Sequence, residues 1–358
     1  MAHLARILAT LAFLLLMFAG LGHVVAHLSG PAGASIVAAV NWQNILDGRL
    51  SGVVDRSVTA ALPDTSQLNS LASGLSYIVL DDAGPQVRAG CPGWLFLAEE
   101  LVETPHGAEH VAAHARLARK IRDTLSAQGV ELVVLPIRDK ADLAHEQLCG
   151  LAVSAQATGR LETWNRQSHA LGLNSIAMGE GWPSPGFLRT DTHWNPEGAR
   201  HAAQLVAQAI SGKLGPGTTD VTLNTTVPEP RPGDLIRLAG LSESWPWSGP
   251  EPDHVATIST HIARTGGLLD DVPAPSVILA GSSFSLRSGF ADFLQQASRR
   301  EVAQKSRDGS GFAGALLDVL MNQPEALKQT RLVVWEFPLR TLTQAPTEAE
   351  RTFLGEDT

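Results

Sequence analysis

The chain has 358 residues, 44% of them hydrophobic and 18% charged, which is enough apolar material for one large domain or two ordinary ones. Its net charge of −9 and the lack of any long basic run argue against a nucleic-acid partner. Two cysteines, Cys91 and Cys149, fall outside any C-x-x-C pair and are too few to make a zinc site alone. In an oxidising compartment they are a candidate disulfide; in a reducing one they are ordinary buried thiols.

Ile7 to Leu28 is apolar almost throughout and follows Arg6. That length is about what a helix needs to cross a bilayer. The same stretch also reads as a secretory signal, with Val24-Val25-Ala26 as a small-residue cleavage site. His23 and His27 weaken its C-terminal half as a lipid-facing span. An uncleaved anchor is the favoured reading, and both readings export the rest of the chain. The dearth of positive charge beyond Arg6 agrees with an N-terminus that stays inside. Residues 29–85 read as a spacer and helical subregion. Trp42, Ile45, Leu46 and Leu50 can share one helix face, and Ser76–Leu80 has the composition of a strand.

Gly93–Leu97 reads as a core strand after a turn at Gly90 and Pro92. Val111, Ala115, Ala118, Ile121 and Leu125 predict a helix over 108–128, ended by Gly129. His106, His110 and His114 recur every four residues there, so they share a face. Nothing nearby completes a metal site, and a solvated histidine stripe is the expectation. Glu131–Pro136 is a buried strand. The loop Arg138-Asp139-Lys140 lies past its carboxyl end, where open α/β sheets place ligands. Lys140 is therefore a candidate for an anionic group. A further helix is predicted over 154–171.

Arg189–Gly198 carries the first chemistry-bearing pattern. Asp191 and His193 stand two apart, just before a strong helix start: Asn195 as N-cap, Pro196 in the first turn, then Ala199, Ala202, Leu205, Val206 and Ile210 at helical spacing. An Asp that holds a His makes a general base, and such a base requires a nucleophile. Arg189 and Trp194 on the same loop are substrate-binding candidates. Residues 212–250 are rich in Gly, Pro and Thr, which predicts a long irregular insertion. Its Trp245 and Trp247 are candidates for stacking on sugar rings.

Ser276–Ala280 is a buried strand running into Gly281-Ser282-Ser283-Phe284-Ser285. A Ser at a strand-to-helix turn projects its hydroxyl at the sheet edge beside helix N-terminal N–H groups, which can hold an oxyanion. Ser283 is the preferred nucleophile and Ser282 the second choice. Ser283's own N–H is one oxyanion candidate, and Gly309 in the glycine-rich loop 306–311 is another. Arg331–Pro338 is the last apolar strand, followed by a polar, acidic tail at 346–358.

In order, the chain presents an apolar N-terminal segment, Gly-Trp-Leu-Phe (93–96), a helix-Gly-strand unit with Asp139-Lys140, Asp-Thr-His-Trp (191–194), Gly-Asp-Leu (233–235), Gly-Ser-Ser-Phe-Ser (281–285) and Trp-Glu-Phe-Pro (335–338). This resembles the alginate O-acetyltransferase family, AlgX/AlgJ-like proteins with an SGNH-hydrolase-like domain, over most of residues 35–345. SGNH hydrolases ordinarily carry the Ser motif first and the Asp-His motif last. The reversed order here is similar to the circularly permuted arrangement of this family. The resemblance implies an α/β three-layer sandwich with a mainly parallel sheet over 86–345, behind an N-terminal membrane helix at 1–28. It implies Ser283 as nucleophile, His193 as base and Asp191 as its orienter, with no metal or cofactor. It further implies acetyl transfer to an exported polysaccharide in the periplasm, with a membrane-bound O-acyltransferase as acetyl supplier at the inner membrane. No Gly-x-Asn-Asp motif is present, so the second oxyanion donor is unassigned. A carbohydrate acetylesterase and a non-catalytic polysaccharide-binding scaffold are the rival readings.

Overall fold

A computed structural model describes residues 2–61, 66–179, 181–241, 246–262 and 274–356. Trp245 lies outside them. The chain divides into two compact units, Met1–Ser70 and Leu71–Thr358.

The first unit is helical: Ala2–Leu28, Pro31–Ala39, Trp42–Leu46 and Arg49–Ala61, before a fifth helix, Ser66–Leu80, that runs on into the second unit. Its apolar side chains, among them Leu15, Phe18, Val37 and Trp42, are exposed. Among the described residues no single helix is long and apolar enough to cross a membrane. Phe13–Leu28 and Pro31–Ala39 meet the length and composition only as a pair, bent by 69°. Pro31 causes the break, since proline starts a new helix readily but cannot continue an old one. Ser76–Leu80, expected as a strand, is instead the end of Ser66–Leu80. Leu68, Leu71, Leu75 and Ile78 repeat at helical spacing, and that propagation overrides the local β-preference of Tyr-Ile-Val.

The second unit is built on five parallel strands: β1 (Glu131–Ile137), β2 (Asn174–Ser175), β3 (Val277–Ala280), β4 (Val302–Gln304) and β5 (Leu332–Pro338), in the order β4-β3-β5-β1-β2. β5 pairs β1 from Leu332↔Glu131 to Pro338↔Ile137, and pairs β3 from Leu332↔Val277 to Trp335↔Ala280. The helices that matter to the site are α1 (Gly107–Ala127), α2 (Arg160–Ala170), α3 (Pro196–Leu214), α4 (Ser283–Leu286), α5 (Phe290–Ser298) and α6 (Gly314–Asn322).

Successive residues of a strand face opposite sides, and here both sides are covered. Leu332 and Val334 of β5 join Val133, Leu135, Val277 and Leu279 against α3 and α5. Val333, Trp335 and Phe337 join Val134, Ile278 and Ala280 against α1, α2 and α6. Strands buried on both faces read as continuous apolar runs, which is why the sequence betrays them. The result is a three-layer α/β sandwich with a central parallel sheet.

Other departures from the sequence reading are local. Gly159 splits the predicted 154–171 helix into Ala155–Thr158 and Arg160–Ala170. The 212–250 stretch is partly regular: Val221–Thr225 pairs Ile258–Ile262, and Glu229–Arg231 pairs Asp253–Val255. Both partners lie beyond the stretch, so its own composition could not announce them. The histidine stripe is not solvated. His114 is buried with Nδ1 at 3.0 Å from the Leu342 carbonyl, His110 Nδ1 is 2.8 Å from that of Thr343, and only His106 is largely exposed. Cys91 and Cys149 form a disulfide.

Candidate active site

The strand-turn at Ser283 is fixed from below by Glu336. Glu336 follows Trp335 at the carboxyl end of β5 and points to the face occupied by Leu332 and Val334. Its carboxyl accepts hydrogen bonds from the Ser282 N–H (2.8 Å) and Oγ (2.7 Å), and from the Ser285 N–H (3.2 Å) and Oγ (2.7 Å). Burial raises the Glu336 carboxyl above its usual range, against the opposing pull of those four bonds. Gly281 has to be glycine, because a Cβ there would run into Ser285 Oγ and Glu336 Oε2. Ser282 caps α4, its Oγ accepting from the Phe284 N–H at 3.2 Å. With Ser282 and Ser285 committed to Glu336, Ser283 is the serine that remains partly exposed and turned toward the loop at 189–194.

That loop is held by the buried Asp253 and Lys140 and by the half-buried Asp234. Asp253 accepts from the Thr190 N–H (2.9 Å) and Oγ1 (2.8 Å) and from Arg189 Nε (3.1 Å). Asp234 accepts from the Thr192 N–H (2.7 Å) and Oγ1 (2.5 Å). The preceding Gly233 lies so close to the loop that a Cβ would overlap the Thr190 carbonyl. Lys140 donates to the carbonyls of Leu95 (2.6 Å), Arg189 (3.0 Å) and Asp191 (3.0 Å), with its Nζ 5.1 Å from the Trp94 and Phe96 ring centres.

Within the loop, Asp191 Oδ1 faces the His193 N–H at 2.9 Å and His193 Nδ1 at 2.5 Å, while Oδ2 accepts the Asp234 N–H at 3.1 Å. Burial works to raise the Asp191 carboxyl, but the His193 bonds and charge outweigh it and hold the group well below the usual carboxylate range. An ionised carboxylate only accepts, so Nδ1 carries the hydrogen and Nε2 is left as an acceptor. His193 Nε2 lies 2.7 Å from Ser283 Oγ. Two residues ninety positions apart thus meet in direct hydrogen-bond range. The aromatic packing maintains this: the Phe284 ring touches the His193 ring (centroids 4.8 Å apart) and that of Trp194 (5.2 Å), and Ser288 Oγ donates to the Trp194 carbonyl at 2.6 Å.

Asp191, His193 and Asp234 also form the one group among the described residues with three potential metal-ligand atoms close together. Each of those residues is also engaged in the hydrogen bonds above.

Two substrate candidates from the sequence need correction. Lys140 and Trp194 are fully buried, at 1% and 0% exposure. Lys140 is spent on three loop carbonyls, and Trp194 stacks on Phe290. Arg189 is partly exposed and, with Trp94, Leu188, Arg200 and His254, lines a groove of about 420 Å³ beside the loop. Trp247 is 51% exposed. Gly309 sits exposed in its loop with open space about its Cα, and the loop's bonds to the nucleophile turn come from the Arg307 N–H and Ser310 Oγ to the Gly281 carbonyl. Sequence reasoning gave no role to Asp234, Asp253 and Glu336. Asp234 and Glu336 had a signal, since each lies in a short motif that carries the family resemblance; Asp253 had none.

A serine, an imidazole and a carboxylate in series at the carboxyl rim of a parallel three-layer sheet place the molecule with SGNH-hydrolase-like proteins. More narrowly, the family model described as SGNH hydrolase-like domain, acetyltransferase AlgX, matches residues 87–339, and the chain belongs to that family. It is similar to the probable alginate O-acetylase AlgJ of Pseudomonas putida, 28% identical over 312 residues that cover 83% of this chain and 81% of that protein. The like-named protein of Azotobacter vinelandii is 29% identical over 334 residues, covering 87% and 84%. Among solved structures, the O-acetyltransferase domain of Pseudomonas putida AlgJ superposes with a TM-score of 0.67 at 27% identity, covering 76% of this chain and 100% of that domain.

Proposed function

We propose that this chain is an O-acetyltransferase that moves an acetyl group through Ser283, His193 and Asp191 onto hydroxyls of an exported polysaccharide. The observation that carries the proposal is the 2.7 Å approach of Ser283 Oγ to His193 Nε2, with Asp191 on the other ring nitrogen. In the first step Ser283 Oγ bonds to the acetyl carbonyl carbon as its proton passes to Nε2. The donor's leaving group departs with that proton. In the second, Nε2 takes the proton of a sugar hydroxyl as its oxygen attacks the acetyl-serine, and then returns that proton to Ser283 Oγ as the acetyl–Oγ bond breaks. The names of the relatives, alginate O-acetylases, support the acceptor class.

Export to the periplasm is supported by the apolar N-terminal helix and by the Cys91–Cys149 bond, which suits an oxidising compartment. Anchoring at the inner membrane through residues 1–28, with a membrane-bound O-acyltransferase as acetyl supplier, completes the reading. The test offers the purified protein an acetylated chromogenic ester with and without oligouronate. Acetylated sugar that disappears with Ser283→Ala supports transfer. Acetate as sole product makes the protein an esterase, and turnover unchanged by Ser283→Ala removes the site.

A further inference from the structure

Transfer through Ser283 creates a negative oxygen on the acetyl carbon, and the Ser283 N–H alone is a thin reception for it. The residue that can add to it stands on the neighbouring strand. β5 lies directly beside β3 in the sheet, with Trp335 opposite Ala280. Both chains leave the sheet at the same rim, β3 into Ser283 and β5 into Arg340. Strands so paired run about 4.8 Å apart, and β5 runs on from that pair to Pro338 beside β1 before it leaves the sheet.

Arg340 is not a surface arginine. Its side chain is only 14% exposed, and its Cζ lies 5.8 Å from the centre of the Phe284 ring. That ring is the one packed on His193, and it follows Ser283 in the chain. The guanidinium and the imidazole therefore border the same aromatic residue. The guanidinium nonetheless donates no hydrogen bond to any described residue. Glu100 comes nearest, with Oε1 at 3.5 Å from Nη1, and that oxygen is itself a buried atom without a hydrogen-bond partner. A guanidinium has five N–H donors in a fixed fork, and those of Arg340 keep contact with solvent, so they are open to a ligand oxygen.

We propose that Arg340 is the second oxyanion donor: its guanidinium takes up the carbonyl oxygen of the acetyl group as that oxygen gains charge. This rests on the acetyl-serine reading above. As Ser283 Oγ bonds to the acetyl carbon, the carbonyl π pair moves onto oxygen, where the Ser283 N–H and the Arg340 fork share it. When the leaving group departs with the proton from His193, the pair returns to re-form the carbonyl. The fork is held ready by the Phe284 ring and by Glu100, whose long contact keeps the charge near without consuming its donors.

The test measures acetyl-serine formation from 4-nitrophenyl acetate with the full chain, alongside binding of a small alkylboronic acid that forms a tetrahedral adduct on the serine. Arg340→Gln is expected to slow acylation by about 10²-fold, with KM within about threefold, and to weaken the boronate in proportion. Arg340→Lys, keeping the charge but not the fork, is expected to recover part of both. Acylation by Arg340→Gln at the wild-type rate overturns the proposal while leaving the acetyl-serine reading intact. So does a slowed rate with boronate affinity unchanged. If Arg340→Gln does not fold, Arg340→Lys decides: an intermediate rate supports the role and a wild-type rate overturns it. Wild-type acylation that survives Ser283→Ala sinks both readings.

Discussion

Asp191→Asn is the substitution that interrogates the relay most directly, because every oxygen of Asp191 has a defined donor. Oδ1 receives two N–H groups of His193, and Oδ2 receives the N–H of Asp234. An asparagine has one acceptor and one donor end. With its oxygen toward His193, its NH2 meets the Asp234 N–H, and two facing buried donors cost about 1–3 kcal/mol. With its NH2 toward His193, the ring must accept at Nδ1 and carry its hydrogen on Nε2, facing Ser283 Oγ. That tautomer cannot take the serine proton. Both outcomes damage catalysis, and the second abolishes the base. The corresponding change in a serine protease triad lowers kcat about 10⁴-fold, so a loss of roughly 10³–10⁴ in kcat is expected here, with KM little changed. The assay is steady-state turnover of an acetyl ester, with thermal melting as control for folding. Asp191→Asn within about threefold of wild-type kcat would refute the argument that Asp191 sets the His193 tautomer.

Three further predictions follow from the framework around the site. Glu336→Gln retains shape and can still accept three of the four serine bonds, costing about 1–2 kcal/mol, whereas Glu336→Ala leaves four buried donors and costs about 3–5 kcal/mol; urea unfolding checks both. Burial first, then the neighbouring charge of Asp139, pushes the Glu100 carboxyl up to about 7 from 4.5. A carboxyl raised on folding lends stability that is full below 4.5 and lost as pH rises to about 7. Glu100→Gln should therefore flatten that decline, by on the order of 3 kcal/mol between pH 4.5 and 8 in urea titrations; an unchanged slope would place the group's burial elsewhere. Removing the Cys91–Cys149 link, which closes a separation of 58 residues, by a double Ser substitution should cost about 4 kcal/mol on the chain-entropy account, read as a lowered melting temperature against the oxidised protein.

The three central strands of the sheet and most of its covering helices were legible, whereas the edge strand Val302–Gln304 and the helix Phe290–Ser298 were not, because burial on both faces writes itself into composition only where the run is long. The runs at 131–137, 277–280 and 332–338 are apolar without alternation, and α1 and α3 carry their apolar faces at helical spacing. The Asp191–His193 loop was legible from a helix start that is purely local, Asn195 then Pro196. Where pairing partners lie far apart in the chain, local reading failed. Val221–Thr225 finds its strand partner at 258–262, and Ser76–Leu80 belongs to a helix begun ten residues earlier.

What the sequence determined by itself was the inventory: a serine at a strand end, an imidazole and a carboxylate on one loop, and enough apolar surface to bury a sheet. The sequence preferred Ser283 over Ser282, and tertiary structure supplied the reason, because Glu336, on the adjacent strand, claims Ser282 and Ser285 and leaves Ser283. Tertiary structure alone decided that Lys140 and Trp194 are scaffolding, since only in the folded chain do three loop carbonyls converge on that ammonium and Phe290 lie flat on that indole. Hydrogen bonding and packing of this kind are settled by which groups share a desolvated space, and the residues sharing such a space here lie 45 to 96 positions apart.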